Sequence, residues 1–124
     1  GVMIDLVATL ILEAEEKIVS ATECLELSAW ADAIYHGYSA QIHAAKALLL
    51  QEGVHCNTQT GILKDFDINF TDKGIYTTQS GSGFRESVMR MNNTAPSELF
   101  AKNYLDQAIR FIEFAKKFRE QSLG

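Results

Sequence analysis

The sequence predicts an all-α fold, an up-and-down bundle of three long and two short helices. Three observations carry this. Apolar side chains recur at three- and four-residue steps over long stretches. The chain of 124 residues holds a single proline, Pro96, and so few helix breakers favour long helices. Glycines fall where the periodic stretches stop.

The first helix is expected over residues 3–27. Met3, Leu6, Leu10, Ala14, Ile18, Ala21 and Leu25 form its apolar stripe, with Glu13, Glu16, Lys17, Ser20 and Glu23 on other faces. Ser28 reads as the N-cap of a second helix over residues 29–52. That helix carries two stripes: Ile34, Tyr38, Ile42, Ala45 and Leu49, and beside them His36, Ala40, His43, Ala47 and Leu50. A helix apolar on two faces sits centrally in its bundle. Its many small residues, Gly37, Ala40 and Ala44 among them, let neighbouring helices approach closely. Gly53 suits a left-handed C-cap.

A shorter helix is expected over residues 60–71, with Ile62, Phe66 and Phe70 inward and Gly74 as its stop. Residues 74–83 read as a loop. A short helix with Phe84, Val88 and Met91 follows, broken by residues 92–96. The last helix opens near Pro96, since proline suits a first helical turn, and runs to about Gln121. Ala101, Leu105, Ala108, Ile112 and Ala115 line one face, widened by Tyr104, Phe111 and Phe118. Repeats, low-complexity tracts and interdomain linkers are absent. Residues 3–121 therefore read as one domain, long enough to bury a core without disulfides or metals. The chain opens Gly1-Val2-Met3; the leading glycine looks like a tag-cleavage scar, ahead of either a small protein starting at Met3 or a domain cut from a longer chain.

The net charge is −5. That argues against nonspecific binding to DNA or RNA, which needs surplus Lys and Arg to displace counterions. Residues 1–62 hold two basic side chains, Lys17 and Lys46, against eight acidic ones; residues 63–124 hold nine basic against eight acidic. The acidic half reads as a solvated helix face or, more sharply, as a face that docks a basic partner. Cys24 and Cys56 have no metal or redox spacing, and the chain shows no signal peptide. Reduced, buried thiols in a cytoplasmic protein are expected. Asn69-Phe70-Thr71 and Asn92-Asn93-Thr94 match the glycosylation pattern, which matters only in a secreted chain. No apolar run spans a membrane.

The stretch from Ala33 to Leu50 carries a resemblance. A small-residue segment bearing Tyr35 and Tyr38 leads into His43-Ala44-Ala45-Lys46-Ala47-Leu48-Leu49, followed shortly by Gly53. Thr60-Gly61-Ile62-Leu63 with Phe66, and the segment from Tyr104 to Phe118, continue it. The chain resembles the HEPN family (higher-eukaryote and prokaryote nucleotide-binding domains) over nearly its whole length. The resemblance implies a bundle that often dimerises. It also implies one of several roles: a metal-independent ribonuclease, a partner of a nucleotidyltransferase, or an accessory domain of a larger enzyme such as a sulfite- or nitrite-reductase-like chain.

In the nuclease members an arginine and a polar residue precede a histidine near the start of the last helix. The arginine stabilises phosphate charge and the histidine moves protons. Here Arg85 and Arg90 are the candidate arginines. No histidine follows either, because the last in the chain is His55, and Arg90 is followed by Met91. The expectation is a non-catalytic HEPN-type domain, dimeric and serving a partner or parent enzyme. The alternatives are a divergent ribonuclease using His36, His43 or His55, or a nucleotide-binding partner of a nucleotidyltransferase.

Candidate ligand-binding residues are His36, His43, Lys46, Arg85 and Arg90. His36 and His43 share a helical face, with Asp32 four residues before His36, but zinc needs three or four ligands; packing is the plainer reading, and no metal or cofactor is expected. Lys46, Arg85 and Arg90 bind phosphate if they converge on one groove; Lys46 alone reads equally as a snorkelling stem. The Gly81-Ser82-Gly83 loop resembles an anion-binding helix N-terminus but reads first as a flexible surface loop. Trp30, Tyr35 and Tyr38 read as core or dimer-interface residues, with ligand stacking as the alternative.

Overall fold

The computed structural model describes residues 5–123, and Met3 of the expected first stripe lies outside them. The fold is an all-α bundle of five helices: α1 (Leu6–Glu26), α2 (Trp30–Gln51), α3 (Gln59–Phe66), α4 (Phe84–Met89) and α5 (Glu98–Leu123). A π-helical turn, Asp67–Thr71, prolongs α3, and a 3₁₀ turn, Arg90–Asn93, prolongs α4.

α1 and α2 form an antiparallel hairpin. Asp5 caps α1 by accepting the Ala8 N–H at 3.0 Å. That bond, helped by the neighbouring Arg119 guanidinium, holds the Asp5 carboxyl below the usual carboxylate range. Ile11, Ala14 and Ala21 are buried, with Ile18 and Leu25 packed beside them, whereas Leu6 is exposed. The tight turn also corrects the expected cap. Ser28 takes a left-handed backbone, φ 60°, and Ala29 stands at the N-cap without a side-chain bond. Reversing the chain in so few residues needs one left-handed position, and here a serine supplies it rather than a glycine. Gly53 and Gly74 do take positive φ, 78° and 73°, where α2 and the π turn stop.

α2 is the central helix. Both expected stripes face inward, although His36, His43 and Leu50 are only half-buried. Tyr38 is buried and Trp30 packs at the core's edge, but Tyr35 is 63% exposed. The small residues act as expected: a Cβ added at Gly37 would lie 3.2 Å from the Tyr104 ring of α5. α5 runs antiparallel to α1, tied by ion pairs of Arg119 with Asp5 and Lys116 with Glu15. Ser97, not Pro96, opens α5 by accepting the Phe100 N–H at 3.1 Å. Proline sits just before the cap, where its missing N–H costs nothing.

An aromatic layer joins the short elements to α5. The Phe66 ring lies 4.4 Å from Phe84, 4.6 Å from Phe70, 5.2 Å from Phe111 and 5.6 Å from Tyr76. Tyr76 packs on Phe111 and Phe114 in turn. These rings pin residues 75–80 along α5, and so build one wall of a cleft. No described helix is long and apolar enough to cross a membrane.

Candidate functional site

The cleft has a volume of about 520 Å³ and lies between residues 75–80, the end of α4 and the outer side of α5. Arg90 and Arg110 face it, with Asp106, Gln107, Tyr76 and Phe114. A second, more open hollow of about 800 Å³ lies beside it and shares Ser80, Ser87 and Arg90; Arg85 lines that one. Arg90 therefore stands between the two.

Its position is set from the core outward. Gln41 of α2 is 1% exposed, and a buried amide must find partners. Its Nε2 donates to the Gly37 carbonyl at 3.2 Å. Its Oε1 accepts from Gln107 Nε2 at 3.0 Å, and the same Nε2 reaches the Ser87 carbonyl at 3.2 Å. Gln107 Oε1 is left to accept from Arg90 Nη2 at 2.8 Å. A buried amide thus fixes a half-exposed one, which fixes an exposed guanidinium. Arg110 is held by Gln79. Both arginines keep further N–H donors for a ligand, since each guanidinium carries five.

The N-terminus of α4, behind the Gly81-Ser82-Gly83 loop, is not a free anion site. It is already filled by Asp67 of the π turn, whose Oδ1 and Oδ2 accept the Phe84 and Arg85 N–H groups at 2.8 and 3.1 Å. The carboxylate lies so close that a Cβ at Gly83 would stand 3.2 Å from it. Asp67 is the first residue of the π turn, directly after α3. Hydroxyls hold the rest: Ser87 to Ser82 at 2.9 Å, Ser82 to Ser80 at 2.7 Å, and Thr78 to the Ser82 carbonyl. Burial, reinforced by the charge of Asp67, pushes the Tyr76 phenol up to about 12. Burial raises the Tyr38 and Tyr104 phenols as well; the Tyr104 hydroxyl donates to the Val88 carbonyl at 2.7 Å.

The residues expected from sequence divide into two groups. Arg85 and Arg90 line the hollows around α4. His36, His43 and Lys46 line neither. His43 donates from Nδ1 to the Ser39 carbonyl at 2.8 Å, and its Nε2 lies 3.6 Å from Glu13 of α1. His36 Nδ1 is buried without a hydrogen-bond partner among the described residues, its ring edge-on to that of Tyr35. His55 is exposed between α2 and α3. The described residues bring no three His, Cys, Asp or Glu side chains together in a metal-binding group.

Sequence reasoning missed Gln41, Gln107, Arg110 and Asp67. Gln41 left a trace, a lone amide inside the Ala- and Ile-rich stripes of α2. Gln107 and Arg110 left none, because a polar residue on the outer face of a final helix looks solvated.

Comparison with known proteins places the chain. A UPF0332 protein of Pyrococcus horikoshii is 33% identical over 92 residues, 68% of this chain and 65% of that protein, so the match spans slightly less than two thirds of the relative's length. A protein of Methanocaldococcus jannaschii named "Putative toxin" is 27% identical over 122 residues, 94% of this chain and 91% of that one. The model of the HEPN domain matches residues 7–122, and the chain belongs to the HEPN domain family.

Proposed function

We propose that this chain is a non-catalytic HEPN domain that binds a phosphate-bearing ligand, a nucleotide in the first instance, in the Arg90–Arg110 cleft. It does so in the service of a partner or parent enzyme, a nucleotidyltransferase being one such partner, and acts as a homodimer. The observation that carries the reading is the hydrogen-bonded chain from buried Gln41 through Gln107 to Arg90. It costs a buried amide in the core and ends on a charge with donors to spare. Such pre-organised guanidinium groups suit phosphate oxygens. Tyr76 and Phe114 offer aromatic surface beside them, and the volume suits one small ligand. The histidine-based acid–base chemistry of the nuclease members needs a histidine within hydrogen-bond reach of the arginine. No histidine lines the cleft, whose one carboxylate is Asp106.

A second reading is a divergent ribonuclease, for which the name of the Methanocaldococcus relative speaks. It would recruit His36, His43 or His55 to a site formed between copies. Incubation of the purified chain with end-labelled RNA separates the two. The proposal expects no cleavage above buffer. Cleavage lost in Arg90→Ala and in one histidine variant would establish the second reading in its place.

A further inference from the structure

Helix α1 buries its Ile11, Ala14 and Ala21 face in the bundle and leaves the opposite face open. On that face Leu12 and Val19, seven residues apart and so aligned along the helix, are 57% and 58% exposed, and Leu27 at the helix end is 79% exposed. Scattered surface leucines need no explanation; these have particular company. Glu16, Glu23 and Glu26 stand exposed on the same helix, and none of them forms an ion pair among the described residues. The other acidic residues here do have partners: Asp5 has Arg119, Glu13 faces His43 and Glu15 has Lys116. The structure therefore sorts the carboxylates of α1 into an inner set that ties the bundle together and an outer set that flanks apolar side chains.

We propose that the outer face of α1 docks a basic amphipathic helix of a partner protein. The partner's apolar stripe would lie on Leu12 and Val19, and its Lys or Arg flanks would meet Glu16, Glu23 and Glu26. Charge selects this occupant. A second copy of the chain would set carboxylates against carboxylates, and like charges across an interface are strongly unfavourable. Nucleic acid and anionic membrane surfaces are repelled for the same reason. A basic helix satisfies the apolar and the charged groups together. The face shares no residue with the Arg90 cleft, so the two proposals stand or fall separately.

The test uses a fluorescent peptide of roughly 18 residues with a leucine stripe flanked by lysines, long enough to form a helix on binding, followed by anisotropy at about 0.15 M salt, where screening acts over about 8 Å. Leu12→Gln with Val19→Gln should weaken binding about tenfold or more, the loss typical of truncated interface anchors. Glu16→Lys with Glu23→Lys should abolish it. Glu113→Lys with Glu120→Lys, the same change of net charge on the exposed side of α5, should leave affinity within about twofold, since screened distant charges contribute little. Three results would overturn the proposal: equal weakening by both charge reversals, equal binding of a scrambled peptide of the same composition, or light scattering that shows Leu12→Gln dissociating a homodimer. Circular dichroism on each variant confirms that these exposed positions leave the bundle folded.

Discussion

The two sides of α2 solve different problems. Toward α1 it meets a helix of small and aliphatic residues, and the polar groups there, His43 and Glu13, stay near the rim in partial contact with water. Toward α4 and α5 it buries Gln41 and passes its hydrogen bonds outward to Arg90. The first side is cohesion with little geometric demand. The second fixes a charged group in one place, and a buried amide is useful only when every partner is present. The charge follows the same division. The half of the chain that builds α1 and α2 is acidic, and the half that builds the cleft holds nine of the eleven basic side chains.

The largest disturbance should come from removing what joins the short elements to α5 on the cleft side. Phe66→Ala takes out the ring that touches Phe70, Tyr76, Phe84 and Phe111. It should cost about 3–5 kcal/mol, the range for fully buried aromatic truncations, read as a shift in the urea midpoint. Asp67→Ala should follow at about 1–2 kcal/mol, because it strips two N–H groups of α4 of their acceptor. It acts on the cleft side alone, so chemical shifts should move in residues 75–90 and stay still in α1.

The same variant sharpens the pH behaviour. Tyr76 in the folded chain holds its proton to about pH 12, through burial first and the Asp67 charge second. In the unfolded chain a tyrosine titrates near 10. Above that value the unfolded state loses protons that the folded state keeps, so stability is complete below about pH 10 and falls as pH rises through 12. A spectrophotometric titration should show Tyr76 among the late tyrosines, with Tyr38 and Tyr104, and its step alone moved downward in Asp67→Ala but still above the ordinary value. The smallest effect belongs to the rim of the other side. Glu13→Gln should change stability by less than about 0.5 kcal/mol, since both partners are substantially exposed.

The fold was largely legible because it rests on period and punctuation. The stripe of Ala101, Leu105, Ala108, Ile112 and Ala115 named the buried face of α5, and Gly53 and Gly74 marked real stops. Boundaries failed where backbone strain or tertiary contact overrode local preference. Ser28 looked like a cap and became the left-handed turn. Leu6 matched the period but stands exposed in the first turn of α1. The site was less legible for a different reason. Arg85 and Arg90 were visible as charges near the last helix, but what positions Arg90 is an amide chain linking residues 41 and 107, and no local pattern announces a contact across that distance. The Gly81-Ser82-Gly83 loop misled in the same way, because its filling carboxylate comes from another element.

The central claim is that the Arg90–Arg110 cleft holds a phosphate-bearing ligand. The most direct test is calorimetric titration of the wild-type chain, Arg90→Ala and Gln41→Leu with a set of nucleoside monophosphates. The account predicts saturable binding to the wild type, a loss of about tenfold or more in Arg90→Ala, as expected for a charged hydrogen-bonding partner, and a smaller loss in Gln41→Leu that leaves the fold intact. Absence of binding at millimolar concentration, or binding unchanged in Arg90→Ala, would contradict it.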